Sequence, residues 1–146
     1  MQKFYFNDNL FTDITGKIIK CCLNVHGFIG NGFNEEIYHQ SLIKELKWSG
    51  LKYASKQEIS VYYKDDEIVG TFYPDFIVEG KVIVELKAVE ALCGEHVSQC
   101  LNYLKATGMG VALLINFGSG SMEIKRLLNK NYNPQIKQIE QKVCIK

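Results

Sequence analysis

The sequence predicts an α/β domain in which helices flank one mixed β-sheet. Two N-terminal segments carry apolar residues at helical spacing, and the stretches of alternating or continuous apolar residues that follow are typical of strands. A third helical segment lies between the last two strands, which predicts a parallel pair joined by a right-handed crossover. The first three strands are expected to form an antiparallel meander, so that the sheet contains both kinds of pairing.

The two N-terminal helices are predicted from apolar stripes. The first spans about residues 13–26, with Gly27 as its stop. Its stripe recurs at three- to four-residue spacing and consists of Ile14, Ile18, Cys21, Cys22 and Val25. The second helix spans about residues 34–49 and ends at Gly50. Its stripe consists of Ile37, Leu42 and Leu46.

The central third of the chain is predicted to be β-structure. Residues 57–63 alternate in polarity like a half-exposed strand, and the turn 64–67 leads into a return strand over 68–78. A second tight turn, Glu79-Gly80-Lys81, leads into a third strand over 82–88.

A β-α-β unit is predicted to close the domain. A third helix spans about residues 92–106 and is capped by Gly108, and the continuous apolar stretch 111–117 predicts a strand buried on both faces. The segment 122–124 is placed to extend the sheet. We therefore expect a single domain over residues 1–130 and a C-terminal extension over 131–146.

Composition excludes several classes of protein. The 146 residues carry a net charge of +1 and are 47% hydrophobic, which argues against a strongly basic nucleic-acid coat protein and against global disorder. No apolar stretch approaches the ~18–20 residues that a membrane span requires. The five cysteines form no C-x-x-C pair, and the N-terminus lacks the apolar segment of a signal peptide. Reduced thiols, a cytoplasmic location and no membrane partner are expected.

One strand carries charges that a purely structural interpretation does not explain. Glu85 and Lys87 are two residues apart in the otherwise apolar third strand, so they share one face. If the preceding turn comprises three residues, Asp75 lies directly opposite Glu85 and points to the same side. Pro74 cannot donate to a sheet, which implies an edge or a bulge beside Asp75.

Two facing carboxylates favour binding of a divalent cation. Their mutual repulsion would be relieved by a metal, and hard oxygen ligands favour Mg²⁺ or Mn²⁺ over zinc. Lys87 would then orient or deprotonate a water, or neutralise charge developing on a phosphate. The alternative is a structural ion pair between Glu85 and Lys87, with Asp75 capping a turn.

Four motifs in the chain resemble a known group of nucleases. Pro74-Asp75 followed by Glu85-Leu86-Lys87 resembles the signature of the PD-(D/E)XK superfamily. The segment 32–38 (GFNEEIY) resembles the signature of the GxxExxY protein family, a branch of that superfamily. Residues 99–103 (QCLNY) are similar to the Q-x-x-x-Y element of RecB-like nucleases, and residues 114–118 (LINFG) also resemble this branch.

This resemblance implies a restriction-endonuclease-like core and specific residue roles. Asp75, Glu85 and the Leu86 carbonyl would ligate Mg²⁺ or Mn²⁺, and Glu35 would add a carboxylate directly or through water. Lys87 would activate the water or stabilise the transition state.

Gln99 completes the catalytic set that the resemblance implies, and Tyr38 and Tyr103 are candidate substrate contacts. From the residues alone, Glu35 is equally suited to the positive end of its helix, and Tyr38 to packing with a hydrogen-bonded hydroxyl.

The function expected on these grounds is metal-dependent hydrolysis of phosphodiester bonds in DNA, with RNA as the second substrate. The resemblance implies products with a 5′-phosphate and a 3′-hydroxyl. The alternative is a non-catalytic module on the same fold that binds nucleic acid or a protein partner. Hydrolysis of another phosphate ester would use the same residues. A homodimer or a protein partner is expected to supply specificity to such a small core.

Overall fold

The computed structural model describes residues 9–64 and 66–135, together with the backbone of residues 143–145. Residues 136–142 and 146 of the predicted C-terminal extension lie outside the described residues. The helices are α1 (Thr12–Ile29), α2 (Glu35–Trp48) and α3 (Gly94–Thr107). The strands are β1 (Tyr53–Ser55), β2 (Ile59–Tyr63), β3 (Glu67–Phe72), β4 (Phe76–Val78), β5 (Val82–Lys87), β6 (Val111–Asn116), β7 (Glu123–Leu128) and β8 (Val143–Ile145).

The strands form two sheets. The larger has the order β1-β4-β5-β6-β7, in which β5 and β6 are parallel and the other pairs are antiparallel. The smaller has the order β3-β2-β8 and is antiparallel throughout. The predicted α/β class, with a mixed sheet and a parallel pair joined through α3, is confirmed. The predicted extension of the sheet after β6 is present as β7.

The prediction of a single return strand over 68–78 is wrong, because the chain forms two separate strands there. β3 pairs with β2 in the small sheet, and β4 pairs with β1 and β5 in the large one. The break falls at residues 73–75, where Pro74 has no N–H to give to a ladder. The two predicted hairpins therefore exist but lie in different sheets, and the short strand β1, which was not predicted, occupies the edge beside β4.

The helix limits agree with expectation except at the end of α1. This helix continues through Gly27 to Ile29 and is capped by Gly30, whose positive φ of 69° suits glycine. A glycine inside a helix costs only about 1 kcal/mol, and α1 continues past Val25, which is buried in the core at 4% exposure. Helix α2 begins as predicted, with the Asn34 side chain accepting a hydrogen bond from the Ile37 N–H at 3.2 Å.

Two apolar clusters cover the two faces of the large sheet. One contains residues of α1 and α2 together with Val82, Val84 and Leu86 of β5. The other contains residues of α3 together with Ile83 of β5. Because side chains alternate along a strand, Glu85 and Lys87 lie on the face covered by α3. Within the described part of the chain, no helix combines the length and apolar character of a membrane span.

Candidate functional site

The β4–β5 hairpin has the register that brings Asp75 beside Glu85. The paired residues are Phe76 and Val84, Ile77 and Ile83, and Val78 and Val82, which leaves a three-residue turn. The Asp75 N–H donates a hydrogen bond to Glu85 Oε1 at 3.1 Å. The juxtaposition that the sequence predicted from the length of this turn is therefore confirmed.

Glu85 is a buried carboxyl group with only partial compensation. Its exposed fraction is 5%, and Lys87 Nζ lies 3.6 Å from Oε2. Burial, followed by the negative charge of Asp75, raises the pKa of Glu85 to about 8. At neutral pH this group therefore holds its proton in the absence of a cation.

Asp75 lies in an environment that favours its charged form. Oδ2 accepts a hydrogen bond from the Leu86 N–H at 2.8 Å, and His39 Nδ1 lies 3.2 Å from Oδ1. Burial acts to raise the pKa of Asp75, but the hydrogen bonds from His39 and Leu86 outweigh it and lower this pKa. The two neighbouring carboxyls thus differ sharply in their tendency to ionise.

His39 and Ser55 are site residues that the sequence analysis did not identify. The His39 ring stacks on Phe76 with centroids 4.3 Å apart, and its Nε2 lies 2.7 Å from Ser55 Oγ. The available signal was helical spacing, since His39 is one turn beyond Glu35 on the same helix. Ser55 had no signal, because its strand is three residues long and carries no motif.

Helix α3 brings Tyr103 and Cys100 to the carboxylates. Burial and then the charge of Glu85 raise the pKa of the Tyr103 hydroxyl above its ordinary value. The same causes raise the pKa of Cys100 to about 12. Tyr103 is 3% exposed and packs edge-on against Phe72, with centroids 5.4 Å apart. Gln99 is half-buried beside Cys100 on this helix. Tyr103 thus lies at the predicted place, whereas its contact with substrate stays a prediction, as does the role of Gln99.

Two residues of the GFNEEIY segment lie apart from the hydrogen-bonded network. Glu35 is exposed at the first position of α2, where its charge meets the positive end of the helix. Tyr38 is fully buried and stacks on Phe117, with centroids 4.5 Å apart. Its hydroxyl donates to the Gly30 carbonyl at 2.6 Å and accepts from the Phe33 N–H at 3.3 Å. This position matches the packing role, and direct contact of Tyr38 with substrate finds no support in it.

The chain that follows Lys87 is held by Asn116, the last residue of β6. The Asn116 side chain accepts from the Val89 N–H at 3.0 Å and donates to the Val89 carbonyl at 2.9 Å. It also donates to Glu123 Oε1 at 2.8 Å, and the Phe117 N–H bonds the Lys87 carbonyl at 2.9 Å. This network fixes the end of β5 and therefore the backbone position of Lys87.

The donor set suits a small, hard cation. In residues 9–64 and 66–135, no group of three or more His, Cys, Asp or Glu side chains is placed to hold a metal. Mg²⁺, however, is commonly held by one or two carboxylates, with water and substrate oxygens as its other ligands. Asp75 and Glu85 supply two such carboxylates, and a cation would oppose both causes of the raised pKa of Glu85, which are burial and then the negative charge of Asp75. The residues present therefore fit the metal implied by the sequence.

Comparison with known proteins agrees with this geometry. Residues 12–127 match the family described as the PD-(D/E)XK nuclease superfamily. The matched residues include both hairpin carboxylates, Lys87 and helices α1, α2 and α3. The comparisons with curated proteins and with solved structures give no significant match. Because the matched span covers most of the chain and contains Asp75, Glu85 and Lys87, the protein belongs to the PD-(D/E)XK nuclease superfamily.

Proposed function

We propose that this protein is a metal-dependent nuclease that hydrolyses phosphodiester bonds in DNA. The observation that carries the proposal is the convergence of Asp75, Glu85 and Lys87 on one hairpin. Glu85 accepts a hydrogen bond from Asp75 at 3.1 Å and lies 3.6 Å from Lys87. Two acids and a lysine are the groups needed to hold a divalent cation beside a phosphate and to place a cation beside the attacking water.

Asp75 and Glu85 would hold Mg²⁺ or Mn²⁺ through carboxylate oxygens, with the Leu86 carbonyl as a further ligand. The Leu86 N–H bonds Asp75 Oδ2, and the carbonyl of a strand residue points to the same side as its N–H. When bound, the metal would neutralise charge that develops on the non-bridging phosphate oxygens. Glu35, on the adjacent helix, would contribute through water.

Lys87 would act at the attacking water or at the phosphate. It lies on the same face as Glu85, and its side chain is 16% exposed, so its ammonium is shielded from bulk solvent and still accessible to substrate. At this position it can donate a hydrogen bond to the attacking water or stabilise charge on the phosphate. We assign Gln99 and Tyr103 to substrate binding on the α3 side, since their helix packs against the same face.

We also propose that the chain is a member of the GxxExxY branch and that residues 99–103 are a Q-x-x-x-Y element. The matching residues are Gly32, Glu35 and Tyr38 in the first motif, and Gln99 and Tyr103 in the second. A homodimer or protein partner would supply the substrate selection that a net charge of +1 does not.

The test is cleavage of single- and double-stranded DNA with Mg²⁺ or Mn²⁺, using RNA as a second substrate. We expect cleavage that stops in EDTA and is lost in Lys87→Ala. Lys17→Ala is the matched control, because Lys17 is an exposed lysine on α1 and its loss changes the net charge equally. Equal cleavage by the wild type and Lys87→Ala would refute the assigned role of Lys87.

The second candidate is a binding module on the same fold without turnover. It is favoured by the contact between Lys87 Nζ and Glu85 Oε2 at 3.6 Å, which gives the buried carboxyl a partner in the absence of a metal. Such a module would bind DNA or a protein partner equally well in EDTA and would cleave nothing. Binding measurements with and without Mg²⁺ therefore separate the two functions.

A further inference from the structure

A buried histidine links helix α2 to the hairpin that carries the acidic residues. The His39 ring is 3% exposed, and its two nitrogens face Asp75 Oδ1 at 3.2 Å and Ser55 Oγ at 2.7 Å. Because an ionised carboxylate can only accept, Nδ1 is the donor in the contact with Asp75. The Phe76 ring stacks on the imidazole at 4.3 Å, with 17° between the planes. The ring is therefore fixed at both nitrogens and on one face.

We propose that His39, held by Ser55, is a positioning residue that fixes the Asp75 carboxylate for binding of a divalent cation. This inference rests on the metal site of the proposed function. The terminal torsion of an aspartate is soft, so a carboxylate bonded through one oxygen rotates easily. Here both oxygens are bonded, Oδ2 by the Leu86 N–H at 2.8 Å and Oδ1 by His39. Each oxygen keeps acceptor capacity that can face a cation.

The order Ser55–His39–Asp75 is also that of a serine-nucleophile triad, but the surroundings favour the positioning role. In such a triad the chemistry occurs at the serine. Here Glu85 and Lys87 lie at the aspartate end, while Ser55 belongs to the edge strand β1. The histidine therefore acts on the carboxylate, and the serine sets the orientation of the histidine.

The test is Mn²⁺ binding by titration calorimetry, which requires no turnover. His39→Phe keeps the stacked ring and removes both polar contacts, and we expect it to weaken Mn²⁺ affinity by about 10- to 100-fold. His39→Asn keeps a donor near the Nδ1 position and is expected to restore most of the affinity. Ser55→Ala is expected to weaken binding by less than His39→Phe. His26→Phe is the matched control, since His26 lies on α1 beside Phe117.

The outcomes distinguish failure of this inference from failure of the proposed metal site on which it rests. Thermal unfolding in EDTA identifies folded variants, and a purely structural role for His39 would lower the melting temperature while leaving Mn²⁺ affinity unchanged. If His39→Phe folds and binds Mn²⁺ with wild-type affinity, the inference is overturned. If His39→Phe does not fold, wild-type Mn²⁺ affinity in Ser55→Ala overturns it. A wild-type protein that binds no Mn²⁺ refutes the metal site itself and the inference with it.

Discussion

The raised pKa of Glu85 predicts an unusual dependence of stability on pH. In the folded, metal-free protein this pKa is about 8, whereas a carboxyl in the unfolded chain titrates near its ordinary value of 4.5. Between these two values the folded state holds one more proton than the unfolded state, so the contribution of Glu85 to stability falls as the pH rises. At about 1.4 kcal/mol per pH unit, the loss from about pH 5.5 to about pH 7.5 is about 3 kcal/mol. Because Glu85 is buried, solvent does not screen this effect appreciably.

Glu85→Gln removes the titrating group and keeps its size. We expect the free energy of unfolding of the variant, relative to wild type, to increase by about 3 kcal/mol over that pH interval. Urea unfolding in EDTA at several pH values measures this difference. Glu67→Gln is the control, because Glu67 is exposed on β3. Parallel pH profiles for wild type and Glu85→Gln would show that the carboxyl ionises normally, and the argument from burial would fail.

Three further predictions concern the packing and the site. Gly118→Ala is expected to destabilise the fold by about 2 kcal/mol or more in urea, because the new Cβ would lie 2.3 Å from the Val89 carbonyl oxygen, whereas Gly120→Ala meets open space and is the control. Tyr38→Phe is expected to cost about 1–2 kcal/mol in thermal unfolding, because it leaves the Gly30 carbonyl without its buried donor. Asp75→Asn is expected to abolish Mn²⁺ binding in calorimetry while the protein still unfolds cooperatively; retained binding would contradict the ligand assignment.

The acidic hairpin could be predicted from the sequence because each step was local. Alternation along β5 placed Glu85 and Lys87 on one face, and a three-residue turn fixed the position of Asp75 across from Glu85. Pro74 marked the break beside Asp75, although it did not show that the strands on either side enter different sheets. The division into two sheets depends on the strands with which β3 and β4 pair. One of these partners, β1, pairs with β4 over only three residues, too few to be recognised from the sequence.

The polar partners of the site depend on tertiary packing and were missed for that reason. His39 meets Asp75, 36 residues away in the chain, only because α2 packs across the β1–β4 edge. Asn116 bonds Val89 across 27 residues at the end of the parallel pair. Helical or strand periodicity describes the face on which such a residue lies, but not the partner that it meets there.

The Ser55 hydroxyl allows the hydrogen bonds from Ser55 through His39 to residue 75 to exchange their donor and acceptor roles. A hydroxyl donates as readily as it accepts, so Ser55 satisfies His39 Nε2 whether or not that nitrogen carries the ring proton. An amide at position 75 can therefore accept from the Leu86 N–H and donate to His39, while His39 donates to Ser55. An amide at position 75 therefore removes the negative charge while the hydrogen bonds to the Leu86 N–H and to His39 are kept. If the proposed function holds, Asp75→Asn would therefore remove cleavage while leaving the fold intact.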